Sequence, residues 1–188
     1  FQALMNSIFE PYSRKFVLVF FDDILIYSLD PATHLTLRQH SLLAKLSKCS
    51  FGQAQVEYLG HVVTREGVIA DPAKIDCMLS WLVPTSVKAL HGFLGLTGYY
   101  RRFVRNYGLI TKALIELLKK NSFNWTIESM MAFNELKRVM SSTPVLALPD
   151  FSKPFVLETD ASSKAIGAVL MQQGHPITFM SQALGPKN

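Results

Sequence analysis

Cysteine is almost missing from this chain: Cys49 and Cys77 are the only two in 188 residues. They stand far apart and outside any paired-ligand spacing. That excludes a disulfide framework and a structural zinc site, and it fits an intracellular setting, cytoplasmic or nuclear. Long apolar runs are missing as well. The longest, around Phe16 to Phe21, has the length of a strand rather than of a membrane span, so no membrane partner is expected. Charged residues make up only 18% against 49% hydrophobic, which excludes a disordered, solvating chain. No secretory signal pattern leads the sequence and its first residue is Phe1 rather than Met, so it is expected to begin inside something longer. Internal repeats and low-complexity tracts are also absent. What remains is a folded chain of one or two domains, long enough to bury a real core.

Two adjacent carboxylates are the most informative feature that is present. Asp22 and Asp23 sit between the apolar runs Phe16 to Val19 and Ile24 to Tyr27, where a buried β-hairpin should turn. Two acids on one tight turn repel each other, and a divalent cation with hard oxygen ligands compensates such a pair. Metal-assisted phosphoryl chemistry is one reading. An ordinary turn is the other, because Asp is a common turn residue.

Along the chain the order is mixed. Phe1, Met5, Ile8 and Phe9 have helical spacing, closed by Pro11; the hairpin from Lys15 to Ser28 follows. Asp30-Pro31 opens a helix expected to reach Leu46, with Leu35, Leu42, Leu43 and Leu46 on its apolar face. Val56 to Val63 and Val68 to Ala70 flank Arg65-Glu66-Gly67 as a second hairpin. From Pro72 to Lys120 the pattern is helical, broken at Pro84 and by Gly92, Gly95, Gly98 and Gly108. Thr126 caps a further helix reaching Met140. Pro154 to Thr159, Ala165 to Met171 and His175 to Met180 read as an antiparallel meander, with Gly174 in the last turn.

The net charge of +5 is unevenly spread. Between Pro84 and Lys120 lie Lys88, Arg101, Arg102, Arg105, Lys112, Lys119 and Lys120 against the one acid Glu116, with Phe93, Tyr99, Tyr100, Phe103 and Tyr107 interleaved. A positive stripe with flat side chains suits a phosphate backbone and its bases. It equally suits a solvated helix face above an aromatic core.

Taken in order, the blocks Phe16-Val-Leu-Val-Phe-Phe-Asp-Asp-Ile-Leu-Ile-Tyr-Ser28, Ala44-Lys-Leu-Ser-Lys-Cys-Ser-Phe51, Val56-Glu-Tyr-Leu-Gly-His-Val62, Phe93-Leu-Gly-Leu-Thr-Gly-Tyr-Tyr-Arg-Arg-Phe103 and Leu157-Glu-Thr-Asp-Ala-Ser162 resemble the reverse transcriptase and ribonuclease H region of gypsy-type long-terminal-repeat retrotransposon Pol polyproteins. The resemblance spans essentially the whole chain. It implies an α+β fold in three parts: a partial polymerase palm with a YxDD-type hairpin at 1–71, a helical thumb at 72–122, and at 123–188 the opening antiparallel strands of a ribonuclease H-like domain. The implied parent activity is RNA-directed DNA polymerisation coupled to cleavage of the RNA strand of a hybrid, with Mg2+ or Mn2+ as cofactor. The implied partners are an RNA–DNA or DNA template-primer duplex and the other parts of a Pol polyprotein.

Roles follow from the same resemblance. Asp22 is the principal metal ligand of the palm motif and Asp23 its neighbour. Asp160 is the first acid of a ribonuclease H site. Tyr58, Leu59, Gly60 and His61 are similar to a primer-grip hairpin, the plain alternative being a strand with Gly60 as a bulge. Lys48 matches a lysine proposed as general acid toward pyrophosphate, with Lys45 and a simple surface lysine as rivals. Gln2 is assigned to the template side of the nucleotide pocket or to a helix surface. Arg101, Arg102, Arg105 and Lys112 are expected to lie along the nucleic-acid backbone, a contact that positions without reading sequence. Departures from the family pattern count too. A third palm carboxylate and the remaining ribonuclease H acids are expected outside this sequence, and the helix between Asp23 and Ala44 is about eight residues short, two turns or on the order of 12 Å. The isolated chain is therefore expected to be inactive, with weak or absent metal binding; a non-catalytic nucleic-acid-binding remnant and a functionless decayed element product are the alternatives.

Overall fold

The computed structural model describes residues 2–13, 17–20, 23–26, 47, 49–50 and 52–185, apart from the side chains of Gln2 and Leu4. The chain forms two compact units, Phe1–Tyr58 and Leu59–Asn188. The expected boundaries at 71/72 and 122/123 both fall within the second. The fold class is α+β.

In the first unit, α1 (Gln2–Phe9) is followed by strands β1 (Val17–Phe20) and β2 (Asp23–Ile26), and β3 (Gln55–Tyr58) closes the unit. The spacing of Met5 and Phe9 places both on one face of α1, and with Val17 they form a small buried cluster covered by Ile8, Tyr12, Val19 and Ile26. β1 and β2 pair antiparallel with Phe20 opposite Asp23, the two strands of the expected hairpin, between which lie residues 21 and 22 of the sequence. Those two residues lie outside the described set. So does the whole of the expected Asp30 to Leu46 helix, with the shortening inferred for it.

The second unit starts with β4 (His61–Thr64) and β5 (Val68–Ala70), an antiparallel pair with Val62 opposite Ile69. Five helical segments follow: α2 (Pro72–Leu79), α3 (Val87–Tyr99), a 3-10 turn (Arg101–Phe103), α4 (Tyr107–Ile110) and α5 (Lys112–Glu116). Then come α6 (Ile127–Met140) and strands β6 (Val156–Ala161), β7 (Ala165–Gln172) and β8 (His175–Ala183). Caps explain where the longer helices begin. Asp71 accepts from Ala73 N at 2.9 Å ahead of Pro72, and Ser86 accepts from Ala89 N at 3.2 Å. Thr126 and Ser129 bond reciprocally as a capping box. The expected break of the helical region by glycines does not occur in α3, which runs through Gly92, Gly95 and Gly98. Tertiary packing overrides the poor helix propensity of these positions, two of which, Gly92 and Gly98, lie beside Trp81 and the Tyr107 hydroxyl.

One core holds the helical segments together. Met78, Leu90, Phe93, Leu114, Leu136 and Met140 are wholly buried, and the Phe93 and Phe133 rings lie 4.7 Å apart. Trp125 anchors the loop after α2 by donating its indole N–H to Pro84 O at 2.8 Å. β6, β7 and β8 form the expected meander, turning at Gln173 and Gly174, both at positive φ. β8 packs on α4, where a Cβ at Gly108 would lie 2.8 Å from Ser181 O, and Gly108 N donates to Ser181 Oγ at 2.8 Å. Among the described residues no helix is long and apolar enough to cross a membrane.

Candidate nucleic-acid interface

Within the first unit the structure brings Asp23 and Tyr58 together. Asp23 opens β2 as an exposed residue, and the Tyr58 hydroxyl reaches its backbone oxygen at a long 3.5 Å. Burial, and then the negative charge of Asp23, raise the Tyr58 pKa above that of an ordinary tyrosine, so the phenol is neutral and a donor. Asp22 and Lys48 lie outside the described residues. Gln2 is the first residue of α1, with its side chain outside them.

The expected strand from Val56 to Val63 is instead divided by a two-residue turn at Leu59 and Gly60. Their φ values are +49° and +68°, both in the left-handed region, as in a type I′ hairpin turn. Gly60 is thus a turn residue and not a bulge. Glycine adopts this backbone freely, whereas leucine does so at a cost of about 1 kcal/mol. Two tyrosines at the end of α3 hold the turn: the Tyr99 hydroxyl donates to Leu59 O at 2.5 Å and that of Tyr100 to Gly60 O at 2.6 Å. Burial, then the charges of Asp71 and Tyr99, push the Tyr100 pKa up to about 12, which keeps this donor protonated.

His61, next in the chain, is enclosed by the same aromatic residues. Its ring stacks on Tyr99 at 5.3 Å, meets Tyr100 edge-on at 5.5 Å and lies 5.6 Å from Phe103. Its Nδ1 is buried with no hydrogen-bond partner among the described residues. Burial first, and then the Arg102 guanidinium, hold its pKa below the ordinary histidine value, so the ring is neutral near pH 7. Its side chain is built to pack beneath the tyrosines, not to carry charge.

Directly after the tyrosines, Arg101, Arg102 and Arg105 are exposed. No salt bridge among the described residues involves them. Lys112 is placed differently: its ammonium donates to Leu184 O at 3.1 Å, tying α5 to the end of β8. An open cleft of about 440 Å³ lies between the chain at Gly98 to Arg102 and the middle of β8. A larger groove of about 550 Å³ beside α6 offers little chemistry, because its Arg138 is already paired with Glu135.

Asp160 lies on β6 opposite Gly167, in a strand whose six residues are all exposed. Glu158, two residues earlier, shares its face of the pleat. No group of three or more His, Cys, Asp or Glu side chains able to hold a metal ion occurs among the described residues.

Residues 125–188 match the family model described as the RNase H-like domain found in reverse transcriptase. The chain is 43% identical over 194 residues to the retrovirus-related Pol polyprotein from transposon 297 of Drosophila melanogaster, covering 98% of this chain and 18% of that protein. It is 32% identical over 207 residues to the Pol polyprotein from transposon gypsy of the same fly, covering 98% of this chain and 20% of that one. An uncharacterized mitochondrial protein of Arabidopsis thaliana is 55% identical over 120 residues, 63% of this chain and 76% of its own length. This chain belongs to the retrovirus-related transposon Pol family.

The chain thus spans about a fifth of the length of the Pol polyproteins that it matches. Among solved structures it superimposes on the foamy viral protease-reverse transcriptase in complex with RNA/DNA hybrid, with a TM-score of 0.84 at 23% identity over 98% of this chain and 27% of that one. The same enzyme in complex with double-stranded DNA gives a TM-score of 0.83. At this identity the likeness establishes the reverse transcriptase/RNase H-like fold. In this Pol-family chain, Asp23 belongs to the first unit and Asp160 to the second. The tyrosine clamp had no reading from the sequence: Tyr99 and Tyr100 suited flat surfaces for bases or an aromatic core, and the structure buries Tyr100 while leaving Tyr99 half exposed. Met180, in the cleft, had no local signal.

Proposed function

We propose that this Pol-family chain is the duplex-holding portion of a transposon reverse transcriptase, comprising a palm remnant at 1–71, a thumb at 72–122 and the opening of the ribonuclease H-like domain at 123–188. Its parent polyprotein would be an RNA-directed DNA polymerase and hybrid-directed ribonuclease. The observation that carries the reading is the Leu59–Gly60 turn clamped by Tyr99 and Tyr100, with the exposed Arg101 and Arg102 next in the chain. A turn held by two short hydrogen bonds and stacked rings presents its backbone in a fixed position. Guanidiniums without carboxylate partners are available for phosphates. The complexes of the foamy viral enzyme with RNA/DNA hybrid and double-stranded DNA support a duplex as partner.

In this reading Tyr58, Leu59, Gly60 and His61 position the primer end, and Arg101, Arg102 and Arg105 follow the backbone. Lys112 braces the β8 end from within the unit. Gln2 and Lys48 remain assigned to the nucleotide-side contacts that the family resemblance implies. Asp22 and Asp23 contribute to a polymerase centre and Asp160 to a ribonuclease centre, each with Mg2+ or Mn2+. Two-metal chemistry requires several carboxylates to hold both ions at a set separation. Two acids for one centre and one for the other do not suffice, so the 188-residue chain on its own neither extends a primer nor cuts a hybrid.

The test measures binding of a labelled RNA/DNA hybrid by fluorescence anisotropy across a salt series, beside primer extension and hybrid cleavage with Mg2+ or Mn2+. Affinity should fall steeply with salt as counterions are released, and the Arg101→Ala/Arg102→Ala variant should bind more weakly with a shallower salt slope. Salt-insensitive binding, or none at low salt, removes the duplex-holding function. Extension that disappears in Asp22→Asn removes the claim of inertness.

A further inference from the structure

The cleft beside β8 combines two kinds of lining that a duplex backbone alone does not require. On the side of the helical segments are Arg101 and Arg102, with Gly98 and Tyr99; on the side of β8 are Phe179 and Met180. Both guanidiniums are exposed and lack ion-pair partners among the described residues. Next to them Met180 is 54% exposed and Tyr99 48% exposed, large apolar groups left in water at the mouth of a charged cleft. Half of this surface favours an anion and half favours a flat apolar body.

We infer that this cleft is a binding site for one unpaired nucleotide of a nucleic-acid strand, its phosphate on Arg101 and Arg102 and its base against Met180 and Tyr99. The inference rests on the nucleic-acid-holding reading above and adds a strand type and a site to it. A volume of about 440 Å³ is that of a small-ligand pocket. A planar guanidinium matches a phosphate with two parallel hydrogen bonds, and the thioether of methionine adapts to an aromatic face. Tyr99 is already immobilised, with its hydroxyl on Leu59 O and one face on the His61 ring, so little side-chain entropy is lost when a base arrives. A base within a duplex has its edge and both faces occupied. Only a nucleotide released from pairing can place its base here while its phosphate meets the arginines, and stacking of this kind tolerates any base.

Met180 separates this site from general backbone binding, because a duplex held by its phosphates does not need it. The experiment compares a fluorescent oligothymidylate with a blunt RNA/DNA hybrid, using the whole chain and the variants Met180→Ala, Met180→Glu and Arg102→Ala. Met180→Ala should weaken the single strand about two- to tenfold, the range for losing one sulfur–aromatic contact, and leave the hybrid unchanged. Met180→Glu should weaken the single strand further, and Arg102→Ala should weaken both ligands. Because Met180 is half exposed, its variants should keep the melting temperature of the parent chain, which is measured alongside. Single-strand affinity unaffected by both Met180 variants, or lost in equal proportion with hybrid affinity, overturns the unpaired-nucleotide site while leaving duplex holding intact. Binding of neither ligand at low salt overturns both.

Discussion

Two β elements of the second unit carry residues singled out from the sequence, and they are built in opposite ways. The β4–β5 pair is fastened at both ends: its leading turn hangs from the hydroxyls of Tyr99 and Tyr100, while Val68 exchanges two backbone hydrogen bonds with Leu146, at 2.7 and 2.8 Å. His61 packs against the aromatic rings and Ala70 into the helical core, and Val62 is buried. β6 has a complete ladder to β7, yet all six of its residues are exposed. A hydrogen-bond ladder alone contributes modestly to stability, since the same groups bond to water in the unfolded chain. The hairpin near the arginines is therefore set rigidly, and the strand bearing Asp160 is joined to β7 by its backbone ladder with its side chains left exposed.

The largest expected contrast is between a core side chain and one on β6. Phe93→Ala should cost about 3–5 kcal/mol in urea unfolding of this chain, because the phenyl is wholly buried against Phe133 and Trp81. Leu157→Ala, at a residue 64% exposed, should stay within about 0.5 kcal/mol. Equal costs for the two would break the comparison.

Next in size is the turn clamp. Tyr100→Phe leaves the ring in place but deprives Gly60 O of its donor, and the loss should be about 1–2 kcal/mol. Tyr99→Phe should lose less, because that residue is half exposed and water can reach the freed carbonyl. A larger loss from Tyr99 than from Tyr100 would mean that the clamp acts through the outer ring.

A smaller effect lies in pH. Burial and Arg102 lower the folded-state pKa of His61, and the rings packed on it from Tyr99, Tyr100 and Phe103 offer no negative charge. Over the range between the unfolded value near 6.5 and the lower folded one, the unfolded chain binds the proton and the folded chain does not. Stability present at neutral pH should thus decline as pH falls through about 6.5. Melting curves from pH 7.5 to 5 should show that decline, and His61→Asn should flatten it; an unchanged slope in the variant assigns the decline elsewhere. The smallest effect is expected from Asp160→Asn, within about 0.5 kcal/mol by the same denaturation measurement, since Asp160 is exposed on β6.

Much of the fold was legible because its signals are local. The apolar flanks of Asp22 and Asp23 marked the first hairpin, Pro72 and Thr126 marked helix starts, and Gly174 marked the last turn. What could not be read depended on distant partners. Val56 to Val63 looks like one strand because nothing within it prefers positive φ except Gly60; Leu59 accepts that backbone beneath hydroxyls supplied 40 residues later. The glycines of α3 look like breaks because their packing partners, Trp81 and Tyr107, lie outside the helix. Of the site residues, the exposure of Arg101, Arg102 and Arg105 agreed with a basic stripe, whereas the bond of Lys112 to Leu184 O spans 72 positions and has no local mark.

By itself the sequence determined the family, the α+β order of elements and the strand that carries Asp160, whereas Asp23, expected in the turn, opens β2, and Arg105 lies outside the helices. Those properties follow from residue type and spacing over a turn of helix or a few residues of strand. Only the tertiary structure decided that the tyrosines serve the backbone of a turn, that His61 is enclosed and neutral, and that Met180 stands beside Arg101 and Arg102. Which side chains meet across 40 to 80 positions is decided when the core closes, by the packing of Phe93, Phe133 and their neighbours and by the seating of Gly108 on Ser181.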